Sequence, residues 1–339
     1  MLKYLRLFLL LMIMMVPLSS VEAVAVKNVG SYYVGGKKVV LEGLPTYEAQ
    51  LTKGSQFVKI DPNGEYFAYQ MYVQYIQLEK PKAKYPLLMW HGGGLSGVTW
   101  ETTPDGRTGW QWLFAQAGNN VYVSDAVERG RATWARYPQI NPVEPVFRNP
   151  KQAWESFRIG SHYDADPAKR VKYENTLFPT EAFEQFMKQS TPRWLTSDEP
   201  TQEAYNQYVD SFENGAVIMS HSQGAIFAWN SALHNPKNVK ALIFVEPSPT
   251  PKLDVDMSSI KHIPILYVYG DINTKYWQNI RDKNAKFKDK IVAQGNDVTW
   301  IEMLDKGVRG NTHMIMMDKN SAEVAGIILD WMKQKKLVK

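Results

Sequence analysis

The 339-residue sequence contains no cysteine. Disulfides, thiolate metal sites and a cysteine nucleophile are therefore excluded, and so is anchoring through a lipidated cysteine. Long apolar runs are also scarce. The longest is at the N-terminus, twelve residues from Leu7 to Leu18. As a helix it would rise about 18 Å, short of a hydrocarbon core of roughly 30 Å. There is no internal repeat, no low-complexity tract, and no dense basic patch interleaved with aromatics of the kind that binds nucleic acid. Histidine is sparse, with six in the chain, so each can be weighed individually.

Around the N-terminal run, Lys3 and Arg6 supply a positive start and Ala23-Val24-Ala25 a small-residue cleavage pattern. Residues 1–25 therefore read as a cleaved signal peptide, with Val21-Glu22-Ala23 as a second cleavage site. The formal net charge is +5, and cleavage after Ala25 removes Lys3, Arg6 and Glu22 to leave +4. That excess is too mild to argue for nucleic acid as a partner. The mature chain, 26–339, is expected to be exported, periplasmic or secreted, with no membrane anchor.

The body of the chain alternates strands and helices. "GSYYVGGKKVVLEG" reads as two short strands around Gly35-Gly36, and "FVKIDPNGEYFAYQMYVQYIQLEK" as two more around Pro62-Asn63-Gly64. "YPLLMW", "NNVYVSD", "GAVIMS", "KALIFVE", "IPILYVYGD" and "VTWIEML" are apolar runs too continuous for a half-exposed sheet. Helical stretches lie near Trp110 to Ala117, from about Gln223, and from Ala322 to Lys335. The expected fold is α/β: a mostly parallel central sheet with helices on both faces, preceded by antiparallel hairpins. Between about 133 and 214 the rhythm breaks. That segment carries prolines, aromatics and the amphipathic stretches "EAFEQFMKQ" and "EAYNQYVDSF", and is expected to be a partly helical cap inserted into a single domain.

Chemistry concentrates in "GAVIMSHSQGAIFAW", residues 215–229. Ser222 stands between an apolar run and an apolar helix, with Ser220 two before it and Gly224 two after. A serine at the tip of a strained strand-to-helix turn needs small flanks, which is the mechanical content of the G-x-S-x-G elbow. Here the first glycine is a serine. Such a nucleophile needs a base, a group to orient that base, and donors for an oxyanion. His313, in "GVRGNTHMIMMDKNS", follows the last strand and falls on the same rim of a parallel sheet. His221 adjoins Ser222 but points away in an elbow, His234 and His262 sit in helix or loop contexts, and His162 lies in the cap. Glu246 and Asp271 each end a buried strand, and pattern alone leaves the two acids nearly even. "HGGG", His91 to Gly94, follows a strand and frees an N–H that can join the N–H of Gln223 as an oxyanion hole.

The order HGGG, SHSQG, acid, histidine resembles the α/β-hydrolase superfamily. "QMYVQY", "HGGGLSGVTWETTPDGRTGW", "VYVSDAVERGRA", "MSHSQGA", "FVEPS" and "GNTHM" together resemble a subgroup of exported bacterial carboxylesterases with an atypical Ser-His-Glu triad. The likeness runs from about Gly30 to Met332, and "TWETTPDGRTGW" is its most specific piece. It implies Ser222 as nucleophile, His313 as base, Glu246 rather than Asp271 as the orienting acid, and the N–H groups of Gly93 and Gln223 as the oxyanion hole. Some relatives carry two adjacent cysteines where this chain has Gly93-Gly94, so no disulfide shapes that loop here.

The implied reaction is acyl transfer from a small-molecule ester to water, with no metal or organic cofactor required. An epoxide or haloalkane hydrolase would carry an aspartate where Ser222 stands. Two other readings remain beside the esterase: a lipase or serine peptidase on the same fold, and a catalytically silent α/β-hydrolase serving as a binding module. Apolar cap helices could also pair two subunits as a homodimer.

Overall fold

The computed structural model describes residues 24–132, 137–248 and 250–339. Residues 1–23 of the expected signal peptide and 133–136 at the start of the expected cap lie outside them. The chain opens with β1 (Val26–Leu41), β2 (Tyr47–Gln50), β3 (Phe57–Ile60) and β4 (Gly64–Leu78). β1 and β4 pair antiparallel along their length, from Val26 opposite Leu78 to Leu41 opposite Gly64, while β2 and β3 make a separate hairpin.

Neither glycine-marked turn is the hairpin turn expected from the sequence. Gly35 and Gly36 lie inside β1 at φ +70° and +87°, and Tyr69 opposite them is at φ +68°. Pairing passes from Gly35 with Gln70 to Lys37 with Ala68, so both strands bend there without reversing. A Cβ on Gly35 would stand 3.0 Å from the Cβ of Ala204. The glycine serves the close approach of a helix. Pro62-Asn63-Gly64 does separate β3 from β4, but each of those strands pairs with a different partner. The Asn63 side chain bonds both the N–H and the C=O of Leu44, closing the excursion between β1 and β4.

Next come β5 (Leu87–Trp90), α1 (Val98–Glu101), α2 (Trp110–Gln116) and β6 (Val121–Asp125). The long excursion holds α3 (Pro150–Ser156), β7 (Gly160–His162), β8 (Val171–Lys172), α4 (Phe183–Met187) and α5 (Asp198–Asp210). The remainder is β9 (Ala216–His221), α6 (Gly224–His234), β10 (Val239–Val245), β11 (Ile265–Tyr269), α7 (Lys275–Ala293), β12 (Val298–Glu302) and α8 (Ser321–Gln334).

Eight strands form one sheet in the order β1-β4-β6-β5-β9-β10-β11-β12. β4 meets β6 antiparallel, and every pairing from β6 to β12 is parallel. This is the expected α/β class. β5, β9 and β11 are buried along their whole length because both faces are covered, which is why their sequences are continuous apolar runs. One face packs Trp110, Phe114, Ile328 and Trp331 from α2 and α8. The other packs Tyr205, Trp229 and Phe287 from α5, α6 and α7.

The last helix of the segment expected as a cap, α5, packs against β1, β4 and α6. It belongs to a face of the sheet, because its buried side, including Ala204, Tyr205 and Tyr208, closes the apolar surface there. Register places Trp90 beside Ser220 and Val245 beside both His221 and Val268, so the C-termini of β5, β9, β10 and β11 share one rim.

Candidate active site

Ser222 sits at φ +50° between the end of β9 and the start of α6, a left-handed conformation that a non-glycine residue adopts only when its surroundings enforce it. The crowding behind it explains the neighbours. A Cβ on Gly224 would lie 2.9 Å from the carbonyl oxygen of His91, and one on Gly92 would lie 2.7 Å from Nδ1 of His221 and 3.0 Å from Cβ of Ser222. Ser220, in place of the usual glycine, is fully buried.

The "HGGG" loop is held against this elbow. His91 donates from Nδ1 to the Gly92 carbonyl at 2.8 Å, and its Nε2 accepts from the Ala126 N–H at 3.0 Å. Further along, Asp125 accepts from the Gly97 N–H at 2.6 Å and from the backbone and side chain of Arg131. The N–H groups of Gly93 and Gln223 donate to no group among the described residues. Gly93, Ser222, Gln223 and His313 line one cavity of about 350 Å³.

His313 is fully buried, with its ring 5.7 Å from Phe157 and 4.0 Å from Trp277 between centroids. Its Nδ1 donates to Oε2 of Glu246 at 3.3 Å, and Nε2 has no partner among the described residues. The ring is thus left with one free lone pair, and His313 lines the same cavity as Ser222. Burial is the main force on the imidazole and lowers its pKa to about 4, although Glu246 pulls the other way. It is neutral at physiological pH, as a general base must be.

Glu246 follows β10 and is itself at φ +49°. Burial opposes its charge, but Arg158 at 2.7 Å and the His313 bond outweigh that and hold its pKa at about 2. Its other oxygen accepts from the Gly270 N–H at 2.5 Å. Asp271 has a different task. Its two oxygens accept from the N–H groups of Gly310 and Asn311 at 2.9 and 2.7 Å, steadying the loop that carries His313. Of the two acids, only Glu246 bonds the imidazole.

Several residues that organise this site carried no signal in the sequence. Arg158, from the segment between β6 and β9, holds the Glu246 charge. His221, expected to point away from the elbow, donates from Nε2 to the His313 carbonyl at 2.9 Å. Arg107, in the middle of "TWETTPDGRTGW", donates to the carbonyls of Met317 and Asp318 at 2.7 and 3.0 Å. Buried Asp318 accepts from Thr312 N–H and Oγ1, and from Asn311 Nδ2. The other histidines lie elsewhere: His234 pairs with Asp210, His262 meets the Pro236 carbonyl, and His162 is exposed on β7.

The fold and this arrangement define an α/β-hydrolase. No protein-family model matches the chain. Its structure superposes on that of a bacterial esterase with a TM-score of 0.81 at 32% sequence identity, covering 92% of this chain and 97% of that one. It is also 24% identical over 328 residues to the probable secreted lipase phiG of a fungal species (strain ATCC 74256), covering 80% of this chain and 88% of the lipase. The chain belongs to the esterases of the α/β-hydrolase superfamily.

Proposed function

We propose that this carboxylic-ester hydrolase works through a covalent acyl-enzyme on Ser222. One observation carries the reading: Ser222 and His313 line the same cavity, and His313 is bonded from behind by the ionised Glu246. In this mechanism Nε2 of His313 takes the hydroxyl proton as Oγ of Ser222 attacks the ester carbonyl. Glu246 holds the imidazole in the Nδ1–H tautomer and stabilises the imidazolium. The N–H groups of Gly93 and Gln223, free of other acceptors, receive the developing oxyanion. His313 then protonates the leaving alcohol, and water attacks the acyl-enzyme by the same route in reverse.

The same reading has the chain exported with its mature end after Ala25, and a cap drawn from the segment between β6 and α5. The N-terminal pattern and the secreted name of the fungal relative support export. Among the described residues no helix is long and apolar enough to cross a membrane. A long-chain lipase is the weaker reading, because three charged residues, Arg148, Arg193 and Asp198, stand in the wall of the cavity beside Phe157, Ile226, Tyr276 and Trp277.

The test uses mature enzyme and Ser222→Ala on p-nitrophenyl esters of rising acyl length, with a serine-reactive phosphonate probe. Turnover and labelling by wild type, with a loss on the order of 10⁵-fold in the variant, are expected. Labelling that persists in folded Ser222→Ala would place the nucleophile elsewhere.

A further inference from the structure

We propose that the ester this enzyme is shaped for carries a second, anionic group, a carboxylate, held by Arg148 and Arg193 beside the Gly93-Gly94 turn. The inference rests on the esterase reading above and narrows its substrate class to half-esters of short dicarboxylic acids, or esters whose alcohol bears the acid.

Two cavities meet at this place. The one containing Ser222 and a neighbour of about 390 Å³ share Gly93, Arg148, Ser156 and Arg193 in their walls. A Cβ on Gly93 would be 3.6 Å from Nη1 of Arg193, and one on Gly94 would be 3.8 Å from Nε of Arg148. The Arg193 guanidinium therefore stands beside Gly93, the residue proposed to hold the oxyanion, and that of Arg148 beside its neighbour Gly94. A second charge a few bonds from the scissile carbonyl would fall between them.

Neither arginine has a carboxylate partner among the described residues. Arg148 bonds Ser156 Oγ at 2.7 Å and lies with its guanidinium 4.6 Å over the Phe157 ring, while the Arg193 side chain makes no hydrogen bond to a described residue. Nε of each is buried and unpartnered. Behind them Arg129 is only 4% exposed, with Nε and Nη1 also unpartnered. Burial first, and then the charge of Arg193, lower the pKa of both Arg129 and Arg148. Unpartnered like charges crowded at a half-buried site are unfavourable on their own, and a bound anion relieves them. The planar fork of arginine matches a carboxylate in two-point contact, and stacking on Phe157 holds one fork in position.

The acids facing the same space are Asp198, 3.5 Å from Nε2 of Gln223, and Glu155 at the wall of the second cavity. Asp198 and Glu128 favour the charge of Arg129 from a distance, but among the described residues no acid forms an ion pair with Arg148 or Arg193. An oxyanion hole of two backbone amides does not require two further guanidinium groups, which leaves them available for another part of the substrate.

The experiment compares matched esters on the mature enzyme, following proton release at constant pH. Monoethyl glutarate against ethyl pentanoate puts the charge on the acyl side, and the acetate ester of 3-hydroxypropanoate against propyl acetate puts it on the alcohol side. One anionic ester is expected to exceed its neutral partner by about tenfold or more in kcat/KM, mainly through KM, with the advantage shrinking as salt rises. In Arg193→Gln and Arg148→Gln the anionic-to-neutral ratio should fall by about tenfold, and in the lysine variants by less.

Neutral esters turned over as well as or better than both anionic ones would overturn the proposal and leave the esterase reading intact. Folded variants that lose both members of a pair in equal proportion would also overturn it. Folded wild-type enzyme that hydrolyses none of these esters and no p-nitrophenyl ester would remove the esterase reading, and this inference with it.

Discussion

Oε2 of Glu246 is shared between Nη2 of Arg158 at 2.7 Å and Nδ1 of His313 at 3.3 Å, with none of the three side chains more than 1% exposed. The guanidinium keeps a buried carboxyl ionised, and the ionised carboxyl orients the imidazole. The same positive charge also disfavours protonation of His313. One arginine thus acts on both partners: it keeps the carboxyl ionised and adds to the burial that keeps the imidazole neutral.

Glu246→Gln is expected to lower kcat on the order of 10⁴-fold by losing the tautomer that the carboxylate enforces. It also strands Arg158 as an unpaired buried charge, so urea unfolding should show a loss of about 3–5 kcal/mol. Asp271→Asn keeps one acceptor for the loop amides and should reduce kcat by less than about tenfold. If the Asp271 variant is the more damaged in steady-state turnover, Glu246 is not the orienting acid.

The acid limb of kcat/KM should lie near pH 4, well below the ordinary imidazole value of 6.5, because burial depresses His313. The stability it contributes is complete above about pH 6.5 and is lost as pH falls towards 4. That of Glu246, also depressed, is complete above the ordinary 4.5 and is lost as pH falls towards 2. An acid limb at or above pH 6.5 would contradict the buried, unpartnered Nε2.

Asp318 acts in the opposite sense. Burial raises its pKa from 3.8 to about 7, against the pull of the Thr312 and Asn311 donors, so its ionisation weakens the fold as pH climbs through that interval. Thermal unfolding of Asp318→Asn should therefore improve relative to wild type between pH 4 and 7. A difference that stays flat across those pH values would show that Asp318 does not titrate there.

Arg107 does not line the active-site cavity, yet it grips two carbonyls four and five residues beyond His313. Arg107→Met is expected to lower kcat by about 10- to 100-fold through misplacement of the imidazole, with KM little changed. Arg107→Lys should recover part of that loss. Equal changes in kcat and KM would point to a general loosening of the pocket.

The glycines after His91 differ in tolerance. Alanine at 92 would press on His221 and Ser222, and should lower stability by about 1–3 kcal/mol and slow phosphonate labelling. Alanine at 93 would crowd the Oε1 end of Gln223, 2.8 Å away, which can swing aside, and would meet Arg193 Nη1 at an ordinary 3.6 Å. Thermal melts of the two variants side by side should rank Gly92→Ala well below Gly93→Ala.

The elbow, the glycine loop and the parallel strands were legible in the sequence because each is a local demand. A serine at positive φ needs small flanks, and a strand covered on both faces needs an unbroken apolar run. Gly35 and Gly36 misled because a reversing turn and a strand pressed by a helix leave the same residue signature. Glu246 and Asp271 each end a buried strand, so pattern could not separate them. Only packing turns Asp271 onto the Gly310 and Asn311 amides and Glu246 onto His313. Arg158 and Arg107 meet partners roughly 90 and 210 residues away. Contacts of that span obey no periodicity in the chain, so which arginine holds the carboxylate, and which clamps the histidine loop, was decided by tertiary structure alone.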